Sequence, residues 1–221
     1  MDFNFMLTRA DRTVPDACAV MEGIGRLGLK HIGFKDVGAE LETLRALNGL
    51  IKASGAVSYL EVVATAPQAA INSARMAVEI GVDRLLGGTQ VAETLAILAG
   101  SAIGYFPFPG TPVGHPTRLG GSAEDIERQS AAFMEMGCAG VDLLAYRATE
   151  AEPIELVRAA RRGLGGKGVL ICAGGVDSPT RIAALREAGC DAFTVGSAAF
   201  DLAFSVAPTL SGQLEDILRC V

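Results

Sequence analysis

The stretch that decides the fold runs from Leu170 to Phe200 and reads LICAGGVDSPTRIAALREAGCDAFTVGSAAF. One apolar run in it ends at Gly174-Gly175, a second ends at Gly196-Ser197, and helix-like residues follow each pair. Glycines let the backbone approach a ligand, and the free N–H groups of such loops and of the next helix bind anions. Two such loops at the ends of parallel strands predict one shared phosphate site. The alternative is that both pairs are only tight turns.

The rest of the chain repeats this strand-then-helix pattern, at a mean spacing of about 28 residues. The predicted strands are Asn4–Thr8, His31–Asp36, Val57–Val63, Asp83–Leu86, Ala102–Phe106, Val141–Tyr146, Val169–Cys172 and Ala192–Val195. Eight such units in 221 residues predict an α/β fold, a single (β/α)8 TIM barrel domain over residues 1–221 with eight parallel strands. A doubly wound open sheet is the alternative, but its G-x-G-x-x-G fingerprint is missing after the first strand.

The segments AGGV and DAFTVGSA resemble the last two strands of the ribulose-phosphate-binding (β/α)8 barrels. That superfamily includes hexulose-phosphate synthases, phosphosugar epimerases and keto-deoxy-phosphogluconate aldolases. The resemblance extends over about the last third of the chain, from Gly137 to Phe200. It implies that Gly174, Gly175, Gly196 and Ser197 hold the phosphate of a small metabolite, in carbohydrate metabolism.

Two catalytic motifs of that superfamily are absent. The third predicted strand, VSYLEVVA, lacks the D-x-K-x-x-D array of the synthase and decarboxylase branch, and the sixth, LLAYR, lacks the Schiff-base lysine of the aldolases. The piece GFKDVG is similar to the lysine segment of dihydrodipicolinate-synthase-type lyases. That likeness makes Lys35 the best Schiff-base candidate in this chain.

Strand alternation sorts the side chains of the second and third strands. Ile32 and Phe34 form an apolar face toward the helices, so Gly33 and Lys35 point into the barrel, and Glu61 points inward from the next strand. Lys35 and Glu61 are therefore predicted to meet. Such a pair can supply an acid and a base, or a lysine with a lowered pKa can form a Schiff base. The alternative is a structural ion pair that closes the barrel mouth.

Other polar residues lie near predicted strand ends. Asp142 and Tyr146 share a face of the sixth strand, and Arg147 can bind a carboxylate or phosphate through two hydrogen bonds. Arg9 ends the first strand, whereas Asp11 fits the connecting turn at least as well. We expect Asp142 to be catalytic and both arginines to contact substrate, with solvated strand ends as the alternative.

The loop FPFPGTPVGHPTRLGG, residues 106–121, is long for a compact barrel. Loops of this kind are usually functional, so we expect a lid or substrate wall. His115 and Arg118 are its only titratable side chains. The alternative is a subunit contact or a stiff surface loop.

An internal echo links the two halves of the chain. The segment EIGVD with a later Gly88-Thr89 matches EAGCD with a later Gly196-Ser197, at an offset of 108 residues. A half-barrel duplication would leave this pattern and predicts a second anion site around Gly88. The alternative is that helix-glycine-strand junctions look alike anywhere.

Composition excludes several function classes. A net charge of −6 and a pI near 5.0 argue against nucleic acid as a partner. The five cysteines contain no C-x-x-C pair, which indicates free thiols in a reducing compartment, and no metal or organic cofactor is expected. No long apolar run or signal peptide is visible, so we expect a cytoplasmic protein without a membrane partner, and one that can form a homo-oligomer.

The sequence thus predicts an enzyme that acts on a small phosphorylated sugar or keto acid. The first hypothesis is proton transfer next to a carbonyl, of isomerase or epimerase type, with Lys35 and Glu61 as base and acid. A Lys35 Schiff-base aldolase or lyase is the alternative. A non-catalytic phosphometabolite-binding barrel is a further alternative.

Overall fold

The computed structural model describes all residues from Met1 to Val221, and its core is one sheet of eight parallel strands. These are β1 Asp2–Met6, β2 His31–Lys35, β3 Val57–Glu61, β4 Arg84–Leu86, β5 Gly104–Phe106, β6 Gly140–Leu143, β7 Val169–Cys172 and β8 Ala192–Val195. Neighbouring strands follow the order β6-β7-β8-β1-β2-β3-β4-β5. Two backbone hydrogen bonds join its ends, from Ala139 N to Tyr105 O at 2.9 Å and from Asp142 N to Pro107 O at 3.0 Å. The sheet is a nearly closed barrel, which confirms the predicted fold.

Helices surround the barrel and occupy the connections between its strands. They are α1 Ala17–Ile24, α2 Leu41–Ala53, α3 Pro67–Ile80, α4 Val91–Leu98, α5 Ala123–Glu135, α6 Pro153–Leu164, α7 Pro179–Glu187, α8 Ser197–Phe200 and α9 Leu210–Leu218. Helix α5 is capped by Ser122, whose hydroxyl accepts a hydrogen bond from Asp125 N at 3.2 Å in a capping box. None of the helices is long and apolar enough to cross a membrane.

Strand alternation divides the apolar side chains into two groups. Ile32, Phe34 and Leu60 face outward into the main core beneath the helices, where each contributes about 1.5–3 kcal/mol by burial. Tyr59 and Phe106 belong to a smaller cluster that fills the barrel itself. The predicted faces of the second and third strands are therefore confirmed.

The strand ends next to the candidate site differ from the prediction. Strand β1 ends at Met6, because Thr8–Arg9 turns back and pairs antiparallel with Arg12–Thr13. Strand β6 ends at Leu143, because Ala145–Arg147 forms a turn of 3₁₀ helix. These changes reorient the residues that follow both strands.

The long loop after β5 also has structure that the sequence did not predict. Thr111–Val113 pairs antiparallel with Arg118–Gly120, so the loop is a small hairpin. The hairpin is attached to the turn after β6 by a hydrogen bond from Thr149 N to Leu119 O at 3.0 Å. None of its residues lines the main cavity, so its role as a lid or substrate wall stays a prediction.

Candidate functional site

A cavity of about 230 Å³ opens at the carboxyl ends of the barrel strands. Its lining contains Met6, Thr8, Asp11, Lys35, Glu61, Arg147, Thr194 and the loops 174–177 and 195–198. It thus brings together the predicted Lys–Glu pair, the predicted glycine loops and one of the predicted arginines. In barrels of this kind the carboxyl ends of the strands are where functional sites are built.

Lys35 and Glu61 are register partners on neighbouring parallel strands, so their side chains point to the same side. Lys35 Nζ lies 3.1 Å from Glu61 Oε1, and both residues are buried, at 5% and 6% exposure. Burial by itself lowers the pKa of Lys35, but the charges of Glu61 and Asp11 outweigh it and raise that pKa above its usual value. The Lys35 side chain is therefore held in the ammonium form.

Asp11 joins the two cations of the cavity. Its Oδ1 lies 2.8 Å from Lys35 Nζ, and its two oxygens accept hydrogen bonds from Arg147 at 2.8 and 2.9 Å. Burial raises the pKa of Asp11, but the hydrogen bonds and charges of Arg147 and Lys35 together lower it by more. The pKa of Asp11 is therefore well below its usual range. Asp11 is a carboxylate that holds both cations in place.

The sequence fitted Asp11 to the connecting turn at least as well as to the strand end, and no role at the site was predicted for it. Asp11 does lie in a turn, between Thr8–Arg9 and the paired Arg12–Thr13, with a φ of 56°. Ala10 before it has a φ of 50°. Non-glycine residues rarely adopt such angles, although Asp tolerates them better than most, and they concentrate at functional sites. An acidic residue in a tight turn directly after a barrel strand was the available signal.

Arg147 reaches the cavity because β6 ends early. On a continued strand its side chain would alternate away from that of Asp142, but the 3₁₀ turn brings it over Gly174. Its Nη1 also donates to Thr117 O of the hairpin at 3.4 Å. The prediction that Tyr146 shares a strand face with Asp142 is wrong, since the ring of Tyr146 lies instead 4.6 Å from the Arg181 guanidinium.

Asp142 lies on β6 and is completely buried. Neither of its carboxyl oxygens has a hydrogen-bond partner. Burial, reinforced by the charge of Glu61, raises the pKa of Asp142 well above its usual value, so the neutral acid is favoured over the carboxylate. Asp142 does not line the cavity, although its carboxyl group is close enough to Lys35 and Glu61 to feel their charges.

The glycine loops after β7 and β8 form the opposite wall. Gly174 and Gly175 have φ angles of 73° and 76°, and a Cβ atom on Gly196 would lie 2.6 Å from Thr8 Oγ1. The backbone N–H groups of these three glycines donate no hydrogen bond within the protein. Unpaired amides on glycine loops at a cavity wall can bind an anion.

Besides the buried Asp142, four other predicted site residues do not line this cavity. Arg9 is exposed and pairs with Asp201, with 2.6 Å between Nε and Oδ1. Arg118 lines a shallow depression next to the cavity, and His115 is exposed in the turn of the hairpin. Gly88 lines no part of the cavity and lies next to Tyr105, since a Cβ atom added to Gly88 would be 3.4 Å from the Tyr105 hydroxyl. Substrate contacts by these residues stay predictions.

Comparison with known proteins identifies the fold. No protein-family model matches the chain, and no curated protein matches it. Among solved structures, a protein described as native KDPGal is 13% identical with a TM-score of 0.70, covering 100% of this chain and 94% of that one. A 3-hexulose-6-phosphate synthase is 16% identical with a TM-score of 0.67, covering 100% of both chains. The orotidine 5′-phosphate decarboxylase of Pyrococcus horikoshii is 12% identical with a TM-score of 0.68, covering 99% and 98%.

These likenesses show the fold, so the (β/α)8 barrel implied by the resemblance of the last two strands is confirmed. At identities this low the likeness does not extend to individual residues. The chemistry has to be argued from the cavity itself.

Proposed function

We propose that this protein is an enzyme that acts on a small phosphorylated sugar or keto acid and transfers a proton at a carbon next to a carbonyl. One observation carries the proposal. A buried Lys35–Glu61 pair and a wall of glycine loops with unpaired amides line the same cavity of about 230 Å³. The reaction class would be that of an isomerase or epimerase.

The glycine loops would hold the phosphate. The free N–H groups of Gly174, Gly175 and Gly196 supply donors, and Ser197 adds a hydroxyl that already accepts a hydrogen bond from Ala10 N at 3.2 Å. Phosphate bound there is remote from the reacting carbon. Binding energy from a remote group can hold that carbon in reactive geometry.

The charged pair would move the proton. Glu61 Oε2 makes no hydrogen bond, whereas Oε1 faces Lys35, so Oε2 is available to accept a proton from the substrate carbon. The Lys35 ammonium would donate a hydrogen bond to the carbonyl oxygen and stabilise the negative charge that develops there. Returning the proton to the former carbonyl carbon gives isomerisation, with the hydroxyl on the deprotonated carbon passing its proton through Lys35 to the former carbonyl oxygen. Epimerisation instead needs a second group that delivers a proton to the opposite face of the enediolate.

A Schiff-base lyase or aldolase is the second candidate. It needs a neutral lysine amine, and the shortest observed contact of Lys35 is with a carboxylate that favours the ammonium form. Borohydride added with substrate would trap an iminium on Lys35 only in this case. A non-catalytic binding barrel is the third candidate and predicts ligand affinity without turnover.

The decisive experiment is proton exchange in deuterium oxide, followed by NMR, with a panel of phosphorylated ketoses, aldoses and keto acids. We expect deuterium to enter one carbon-bound position next to the carbonyl of one ligand class. Exchange should be lost when Glu61 becomes Gln and retained when the exposed Glu79 does. Binding without exchange across the panel would contradict the proposal, and borohydride trapping would replace it with the lyase.

A further inference from the structure

A third wall of the cavity, between the charged pair and the glycine loops, carries hydroxyl groups. Thr8 and Thr194 both line the cavity and are each only 5% exposed. Neither side-chain hydroxyl makes a hydrogen bond within the protein. Asn4, the register partner of Thr194 on β1, is 1% exposed, and its side-chain oxygen and nitrogen both lack partners.

This lack of partners is unusual for a protein interior. Buried polar groups are almost always hydrogen-bonded, and each exception needs an explanation such as a missing ligand or water. Asn4 and Thr194 point to the same side of adjacent strands, although only Thr194 and Thr8 line the cavity. The wall is prepared for a ligand that both donates and accepts hydrogen bonds.

The charges of the cavity, by contrast, are already matched. Asp11 binds both Arg147 and Lys35, and Lys35 also binds Glu61, so two cations face two carboxylates. The carboxylate oxygen that remains free is Glu61 Oε2, which requires a donor. A carboxylate on the ligand offers acceptors only and would be repelled by Asp11 and Glu61.

From this arrangement we infer that the reacting end of the ligand carries hydroxyl groups and no carboxylate, and that Thr194 is a specificity-determining residue. The substrate class is then a phosphorylated polyhydroxy carbonyl compound and excludes phosphorylated keto acids. This inference deepens the proposed function and rests on its placement of the phosphate at the glycine loops. A hydroxyl in the substrate pairs with Thr194 or Thr8, and its absence leaves those groups unpaired.

The test measures binding without reaction. Erythritol 4-phosphate has hydroxyls but no carbonyl, butyl phosphate has neither, and 4-phosphoerythronate replaces the terminal alcohol with a carboxylate. In calorimetric titrations we expect the first to bind at least about tenfold more tightly than either of the others, because sites built for a hydroxyl reject analogues that lack it. Thr194→Val should weaken erythritol 4-phosphate about fivefold and leave butyl phosphate unchanged. Thr111→Val, in the exposed hairpin, is the matched control.

The outcomes separate the two claims. Equal binding of erythritol 4-phosphate and butyl phosphate, or tighter binding of the carboxylate, would overturn the inference and leave the phosphate site standing. Failure of all three ligands and of inorganic phosphate to bind would overturn the phosphate site, and the inference with it. If Thr194→Val does not fold, the three ligands on the unaltered protein still decide.

Discussion

The two ends of the barrel treat buried polar groups in opposite ways. At the amino end, Arg84 donates a hydrogen bond to the Tyr59 hydroxyl at 2.7 Å, and that oxygen lies 2.8 Å from His31 Nδ1. The guanidinium of Arg84 also packs against the rings of Tyr59 and Phe106, at 5.2 and 5.6 Å from their centroids. Toward the carboxyl end, both oxygens of Asp142 are unpaired.

This difference between the two ends indicates that the amino end stabilises the fold and that the carboxyl end is arranged for binding. A network in which each polar group has a partner and packs against aromatic rings fixes the barrel interior. Buried groups without partners cost stability, so the unpaired hydroxyls of Thr8 and Thr194 in the cavity lining favour a place for a ligand, whereas Asp142 lies outside that lining. Changes at the amino end should therefore affect unfolding, and changes at the carboxyl end should affect binding and turnover.

The largest effect should come from Glu61→Gln. Loss of the base should lower turnover by a factor of about 10²–10⁴, the usual contribution of a general base, while the isosteric side chain preserves packing. Steady-state kinetics on the substrate found by proton exchange measure this, with Glu79→Gln as control. Turnover within about threefold of the unaltered protein would remove Glu61 from the mechanism.

At the other end, Tyr59→Phe should change stability and not turnover. The substitution leaves the Arg84 donor and the His31 acceptor without their partner, which costs about 1–3 kcal/mol of unfolding free energy. Urea unfolding measures the change. Tyr146→Phe is the control, since that hydroxyl reaches only Arg181 O, at 3.3 Å. A larger loss in the control would reverse the comparison.

The two ends should also respond to pH in opposite directions. Asp142 has a raised pKa when folded, so its stabilising contribution is complete below about pH 3.9 and is lost as pH rises through the raised value. Burial lowers the pKa of His31, so its contribution is present above about pH 6.5 and is lost as pH falls below it.

In the unaltered protein, Asp142 should make the unfolding free energy fall as pH rises, and Asp142→Asn should remove that fall. His31 should make the unfolding free energy rise with pH, and His31→Asn should remove that rise. One proton gives at most about 1.4 kcal/mol per pH unit. Urea midpoints between pH 4 and 8 measure both slopes. Parallel curves for the two variants and the unaltered protein would show that neither group is linked to folding.

The smallest effect is expected from Arg9→Ala. Arg9 has 62% of its side chain exposed, and its ion pair with Asp201 lies outside the cavity. Exposed pairs contribute about 0–1 kcal/mol, so both stability and KM should change little. A several-fold rise in KM would restore Arg9 as a substrate residue, as the sequence suggested.

The sequence predicts the position of a site residue where strand alternation alone decides which way its side chain points. Lys35 and Glu61 could be placed together because alternation fixes the inward face of each strand. Arg147 and Asp11 could not, since their positions depend on where β6 and β1 stop, and tertiary contacts set those ends. Thr194 was passed over because a single hydroxyl in an apolar strand carries no pattern, and only the absence of partners in the folded protein distinguishes it.

The bridge from Asp11 to Arg147 joins residues 136 positions apart in the chain, and β1 lies between β2 and the late strand β8. During synthesis, Lys35 and Glu61 can pair early, because their strands are consecutive. Their full counter-charge arrangement forms only after the sixth strand has left the ribosome, and β1 completes its pairing only with the eighth. The cavity is thus assembled late, and a partly made chain can contain the Lys35–Glu61 pair without the walls that enclose it.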